Sequence, residues 1–248
     1  MLEDYIKPNW PQHAAVKAYT TTRKLGGKQP TSNYANFNLG THVNDDPATV
    51  HANRLKLIQE LQLPEMPTWL DLVHGNDVVA LMTDSPNHLT ADACFTFTAN
   101  KVCAVTTADC LPILLYHRDG KAVAAIHGGW RSLFADIIAK TVNAMGLEAA
   151  ELHAWLGPAI SAKNYTVGND LREQFIKQST SLENAFYLDN QNWKCDLYKI
   201  AQIKLKKLGI NSIFGGNYCT YAQNDLFYSY RRDGQQSGRL VTLVWINR

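Results

Sequence analysis

The chain has no apolar run approaching the roughly 18 to 20 residues that a helix needs to cross a bilayer, which excludes a helical membrane protein. Its opening residues, MLEDYIKPNW, carry Glu3 and Asp4 where a secretory leader would have positive charge ahead of an apolar segment, so a cytoplasmic location is expected. Cysteine is sparse and odd in number. The five residues, Cys94, Cys103, Cys110, Cys195 and Cys219, include no CxxC pair, which excludes a disulfide framework or compact zinc finger and fits reduced thiols. Neither sign of charge prevails: Lys+Arg 24 against Asp+Glu 22 leaves a formal +2, with no basic stripe, so no nucleic-acid partner is expected. No repeat, low-complexity tract or Pro/Gly/Ser linker divides the sequence, and a single domain over 1–248 follows. What remains is ordinary for a globular protein, with 46% hydrophobic and 19% charged residues, enough to bury a full core.

Several segments announce their structure. Ala14–Thr21 reads as a strand, Thr31–Asn44 as a long polar loop, and Asp46-Pro47 as the cap and first-turn proline of a helix running to about Leu61. Trp69–Val73 and Asp77–Met82 read as two strands around a turn that holds His74. Val102–Thr107 and Pro112–His117 are strand-like runs joined by Ala-Asp-Cys-Leu, and Asp119-Gly120 turns the chain into a third strand, Ala122–Ile126. Trp130, Leu133, Phe134, Ile137, Ile138 and Met145 then fall on one face of a single helix that Gly146 can cap. Glu151–Trp155 predicts a strand, Asn169–Lys177 a helix, Asp196–Leu208 a helix with an Asp cap and Gly209 beyond it, and Asn211–Phe214 and Arg239–Ile246 the last strands. Strands and helices interleave without strict βαβ rhythm. The expected class is therefore α/β in the mixed α+β sense, with a central mixed sheet and helices packed around it.

Three donors of metal-binding type stand at strand ends, where loops on a rigid sheet gather function. Cys110 follows Asp109 at a joint between strands, whereas Cys103 lies inside one. His127 sits where a strand runs into Gly128-Gly129, and His74 precedes Gly75. Each alone reads equally as a packed or hydrogen-bonded residue, and their long spacing matches no compact finger. Two imidazoles and a thiolate would leave a fourth position open, as in catalytic zinc sites. The same donor set with a weak axial group suits copper, and no methionine is near in sequence, although folding could bring Met82 close.

Around these donors, Gly128-Gly129 exposes backbone N–H groups at the start of the Trp130 helix and Arg131 adds positive charge, an arrangement suited to phosphate or, more plainly, a glycine turn beside a surface arginine. Arg23 is a second candidate anion clamp. Asp92 and Asp109 are candidates for proton transfer or for orienting an imidazole, with turn capping as the alternative. Ser229-Tyr230-Arg231-Arg232-Asp233 offers polar contacts through Arg231 or forms an exposed hairpin.

Taken in order, Thr21-Thr22-Arg23, Asn38-Leu39-Gly40, His74-Gly75, Asp109-Cys110-Leu111-Pro112, His127-Gly128-Gly129-Trp130-Arg131, Gly157-Pro158-Ala159-Ile160 and Tyr228-Ser229-Tyr230-Arg231-Arg232 resemble the bacterial YfiH family over nearly the whole chain. That family was long labelled polyphenol oxidase or laccase-like and is now described as purine nucleoside phosphorylases. The resemblance implies a one-domain α/β fold and zinc held by His74, Cys110 and His127, with copper as the alternative that the donor set leaves open. It also implies phosphorolysis of adenosine, inosine and methylthioadenosine, with adenosine deamination as a second activity. Cys110, Asp109 and Asp92 are then the expected catalytic residues, and Arg23, Asn38, Gly128, Gly129, Arg131 and Arg231 the expected contacts to substrate and phosphate. Two positions depart from the pattern. Leu72 replaces a usual glutamine and removes a polar contact near the metal, and Asn44 replaces a frequent glycine but tolerates a left-handed backbone.

A metal-activated water attacking C6 of adenine would account for deamination, although the His-x-Glu motif of other zinc deaminases is missing. Arg23 and Arg131 holding phosphate beneath C1′ would account for phosphorolysis. Competing expectations are a copper phenol oxidase, a metal-free thiol hydrolase with Cys110 as nucleophile, and a metal-stabilised interaction module without turnover.

Overall fold

A computed structural model describes residues 2–26, 33–34 and 36–248. Of the expected 31–44 loop, residues 31, 32 and 35 lie outside the described residues. The first strand, β1, is Val16–Thr20. Helix α1, Pro47–Leu61, begins where its sequence signals place it: Asp46 accepts a hydrogen bond from the Thr49 N–H at 2.9 Å, and Pro47 fills the first turn, where no N–H is needed. Short strands β2 (Trp69–Asp71), β3 (Val78–Ala80), β4 (His88–Thr90) and β5 (Ala93–Thr96) follow. Next come three fully buried strands, β6 (Val102–Thr107), β7 (Leu111–His117) and β8 (Val123–Gly128).

The single helix expected after β8 is two helices, α2 (Trp130–Phe134) and α3 (Ile137–Met145). Their apolar face is continuous, which is why periodicity hides the break. Asp136 takes a left-handed φ of 58°, and the carbonyls freed there are recovered by side chains: Asn76 donates to Ala135 O at 2.7 Å and Gln178 to Phe134 O at 2.8 Å. Lys204 pairs with the Asp136 carboxylate and holds the bend from the far side.

Beyond Gly146 lie β9 (Leu152–Leu156), β10 (Thr166–Val167), α4 (Asn169–Gln178), and a hairpin, β11 (Phe186–Asp189) and β12 (Asn192–Cys195), that is not among the elements expected from sequence. Helix α5 (Leu197–Lys207) is capped by Asp196, which accepts from Lys199 N–H at 2.9 Å. Strand β13 (Ser212–Gly215), the single-turn helix α6 (Tyr230–Asp233) and β14 (Leu240–Ile246) complete the chain. The 229–233 segment is thus a capped helical turn and not a hairpin.

The central sheet is mixed, in the order β13-β9-β7-β8-β5-β3, with its two outer pairs parallel and its inner pairs antiparallel. A second, antiparallel sheet runs β1-β14-β6. Side chains alternate between two cores, as a strand period of two requires. On β7, Ile113 and Leu115 pack towards α3 and α5, whereas Leu114 and Tyr116 pack towards the second sheet. Strand β6 alternates likewise, with Cys103 and Val105 facing the central sheet and Val102 and Ala104 facing α1 through Leu57 and Leu61. The order of layers is helices, six-stranded sheet, three-stranded sheet, helix. No helix among the described residues is long and apolar enough to cross a membrane.

Strands that follow one another in the chain do not always pair here. β2 pairs with β4 and β3 with β5, in separate sheets, so the segments flanking His74 are not a hairpin. β6 and β7 also belong to different sheets. Ala108, Asp109 and Cys110 therefore carry the chain from one sheet to the other, and that crossing builds the site.

Candidate metal centre

His74, Cys110 and His127 come from two connections and a strand and converge: their donor atoms all lie within 4.8 Å of one another. His127 is buried on β8, Cys110 is half-buried at the sheet crossing, and His74 is exposed on the loop between β2 and β3. The two imidazole rings meet edge to face, with centroids 4.7 Å apart and an interplanar angle of 83°.

Two buried carboxylates hold this geometry. Asp92, fully buried just before β5, accepts from the backbone N–H of His74 at 2.9 Å and of Gly75 at 2.7 Å, and its Oδ1 lies 2.9 Å from His127 Nδ1. His74 has a φ of 58°, a conformation that costs a non-glycine residue about 1 kcal/mol or more, and the Asp92 carboxylate pins it. Burial alone would raise the Asp92 pKa. The bonds from His127, Gly75 and His74 outweigh that and hold it below the usual carboxylate value. With Nδ1–H directed at Asp92, His127 presents Nε2 to the centre.

Asp109 is the counterpart at the Cys110 turn. Its φ is 86°, its carbonyl accepts from Ile160 N–H at 3.0 Å, and its carboxylate accepts from Thr220 Oγ1 at 2.6 Å, Ser229 Oγ at 2.9 Å and Arg231 N–H at 2.6 Å. Three donors on one buried carboxylate tie the sheet crossing to α6.

Burial pushes the Cys110 thiol up, but His127 and His74 beside it bring it down to about 6. Burial pushes His127 down, and Cys110 and Asp92 raise it to about 9. The centre is thus a thiolate facing an imidazolium, in which a cation can take the place of the proton. The donor chemistry fits zinc: tetrahedral coordination at ordinary bond lengths asks for donor separations of roughly 3.3 to 3.6 Å.

The donors open onto a cavity of about 630 Å³, within the range of roughly 300 to 1,000 Å³ usual for small-molecule sites. Arg131, Arg231 and Arg239 line it, with the aromatic rings of Trp130, Tyr165 and Tyr230. The Arg231 guanidinium sits 5.0 Å from the Tyr165 ring centroid, and that of Arg131 4.4 Å from Trp130. Leu72, one of the two residues that depart from the expected pattern, forms part of the wall, as do His42 and Asp71. Asn44 is not among the left-handed residues, so its substitution needs no conformational tolerance.

Other expected site residues are placed differently. Arg23 is buried away from the cavity lining, donating Nη1–H to Asn224 O at 3.1 Å with its guanidinium 4.9 Å from the Tyr228 ring. Asn38 is fully buried and bonds to protein groups, among them Asp45 Oδ2 and the backbone of Gly40 and Arg239. Gly128 and Gly129 serve packing. A Cβ on Gly128 would stand 2.7 Å from Leu111 O, and one on Gly129 would stand 3.1 Å from His127 Cε1 and 3.2 Å from Cys110 Sγ. Helix α2 has five residues, so its N-terminus offers a weaker dipole to an anion than the long helix expected from sequence. Sequence reasoning missed His42, Asp71, Tyr165 and Arg239. Only Arg239 carried a signal, a charged residue opening an otherwise apolar strand.

Comparison with known proteins agrees with this architecture. Residues 17–247 match a family model described as multi-copper polyphenol oxidoreductase laccase. The chain is 40% identical over 241 residues to the Escherichia coli protein named purine nucleoside phosphorylase YfiH, spanning 97% of this chain and 98% of that one. It is 39% identical to a Haemophilus influenzae protein named purine nucleoside phosphorylase, spanning 97% and 98%. A crystal structure of a Neisseria meningitidis protein superposes with a TM-score of 0.90 at 38% identity, covering 99% of this chain and 100% of that chain.

Proposed function

The chain belongs to the YfiH family, and from that premise we propose that it is a metal-dependent purine nucleoside phosphorylase acting on adenosine, inosine and methylthioadenosine. One observation carries the reading: three arginines and three aromatic rings line the same cavity as the thiolate and imidazole donors. Phosphorolysis uses the arginines and the aromatic walls directly. The glycosidic C1′–N9 bond breaks, a phosphate oxygen bonds to C1′, and the purine leaves with a proton, giving ribose 1-phosphate and free base. Guanidinium groups neutralise phosphate and hold it for attack, and aromatic walls keep the base in place while C1′ gains positive character.

His74, Cys110 and His127 would hold the metal, for which we favour zinc. When bound, it supplies Lewis acidity to the reacting group, the basis on which adenosine deamination is a second activity of the same site. Asp92 orients His127 and fixes the His74 turn. Asp109, its oxygens already engaged by three donors, braces the Cys110 turn against α6. Arg131 and Arg231 contribute positive charge to the phosphate region.

The family model's description favours a second reading, a copper-dependent phenol oxidase. The described residues contain one group of metal donors, and Met82, the candidate axial ligand, is 58% exposed and does not line the cavity. Metal content measured alongside phosphate-dependent release of hypoxanthine from inosine separates the two. Zinc at one equivalent with phosphate-dependent release is the expected result. Stoichiometric copper with oxygen uptake on a phenol, and no base release, would overturn the proposal.

A further inference from the structure

We propose that Arg239 is the oxyanion anchor of this cavity and that the Asn38-Leu39-Gly40 turn is the cradle that aims it. The inference rests on the phosphorylase reading for the identity of the anion, which is inorganic phosphate.

Each residue of the turn makes one contribution. The side-chain carbonyl of Asn38 accepts the Arg239 backbone N–H at 2.8 Å, and the Leu39 N–H donates to the Arg239 carbonyl at 3.2 Å. Gly40 supplies room: a Cβ there would stand 2.5 Å from Arg239 Cγ and 2.9 Å from Arg239 Cβ. The cradle is itself rigid, because Asn38 is fully buried and donates to Asp45 Oδ2 at 2.9 Å, while Asn53 donates to the Asn38 carbonyl at 3.0 Å. A motif with no place in the cavity lining thus acts on the cavity through one side chain.

The guanidinium is only partly satisfied. Nη1 donates to Ser237 O at 2.6 Å and Gly238 O at 3.1 Å, and among the described residues Nε and Nη2 have no hydrogen-bond partner and no carboxylate forms an ion pair with Arg239. Asp109 is nearby, but its oxygens are committed to Thr220, Ser229 and Arg231. With no direct ion pair, the half-buried guanidinium keeps its Nε–Nη2 edge open, and that edge has the fork geometry that receives two oxygens of a tetrahedral oxyanion. Arg239 shares with Arg131 and Arg231 a position over an aromatic ring, here Tyr230 at 5.9 Å, but those two are exposed where Arg239 is half-buried, and Arg231 Nη1 donates to Thr166 O.

Metal-loaded full-length protein tests the assignment, with inorganic phosphate as the calorimetric probe and inosine as the kinetic substrate. Arg239→Gln should abolish measurable phosphate binding and raise KM for phosphate at least about 30-fold, with KM for inosine changed less than about threefold. Arg239→Lys should recover little, because an ammonium cannot reproduce the fork. Gly40→Ala, outside the cavity, should weaken phosphate binding about 5- to 10-fold by displacing the arginine stem. Arg131→Gln, which removes an exposed charge from the cavity wall, should weaken phosphate binding far less than Arg239→Gln does. Wild-type phosphate affinity in both Arg239 variants, or a rise confined to KM for inosine, would overturn the assignment. Arg239-dependent phosphate binding in a wild-type protein that releases no base from any nucleoside would leave the anchor standing and remove the phosphorylase reading instead.

Discussion

Asp92 Oδ1 lies 2.9 Å from His127 Nδ1 and 2.9 Å from the backbone nitrogen of His74, so one fully buried carboxylate sets the orientation of two of the three candidate donors. The donors reach the centre on separate elements, and Asp92 is where two of those elements are tied together. Asp92→Asn keeps the shape but cannot accept from all three N–H groups. It should lower metal affinity about 10- to 100-fold, as loss of a ligand-orienting partner typically does. Competition against a chromogenic chelator measures this; unchanged affinity would show that His127 needs no orienting partner.

Asp109 should behave otherwise. In Asp109→Asn the amide oxygen can still accept from Arg231 N–H and Ser229, and the amide N–H₂ can donate to Thr220 Oγ1, whose hydroxyl can turn to accept. The variant should retain metal and the shape of its pH–rate profile, with kcat reduced less than about tenfold. Asp109→Ala, which leaves those donors unpaired, should lose about 2 to 4 kcal/mol of stability by denaturant titration. Disappearance of one limb of the pH profile in Asp109→Asn would identify the carboxyl as a proton carrier instead.

Proton bookkeeping gives a pH prediction for the metal-free protein. Folded Cys110 sits near 6 against an ordinary 9.0, and folded His127 near 9 against 6.5. Between about 6.5 and 9 the folded pair holds one proton, on His127, and the unfolded pair also holds one, on the thiol. Folding therefore exchanges no net proton there, and this pair adds no pH slope to stability in that window. What moves is reactivity. Alkylation of Cys110 should follow a titration near 6 rather than 9, and metal uptake should release a proton from His127 in the same window and weaken below about pH 6. An alkylation midpoint near 9 would mean that the imidazoles do not stabilise the thiolate.

The two glycines after His127 should fail in different ways. Gly128→Ala drives a methyl to 2.7 Å from the Leu111 carbonyl, backbone of a buried strand that cannot shift, and should cost about 1 to 3 kcal/mol, lowering Tm. Gly129→Ala meets His127 and Cys110 side chains at 3.1 and 3.2 Å, so its main effect should be on metal affinity with a smaller change in Tm. Equal effects of both variants on Tm and metal would contradict this separation.

The sequence by itself determined the elements whose causes are local. Asp46 and Asp196 cap helices with their own carboxylates, β6 spans the strand-forming run Val102–Thr107, and Asp119-Gly120 turns β7 into β8, because capping, strand propensity and turn chemistry act over a few residues. It also marked His74, Cys110 and His127 as candidates, since each donor stands at a strand end. Only the tertiary structure decided which strands share a sheet, that α2 breaks from α3 at Asp136, that Asn38 serves Arg239, and that Arg239 rather than Arg23 lines the cavity. Those outcomes depend on partners 40 to 200 positions apart, such as Gln178 reaching Phe134 and Arg239 reaching Asn38. Such contacts form only once the two sheets have packed, and no pattern within a window of neighbouring residues encodes them.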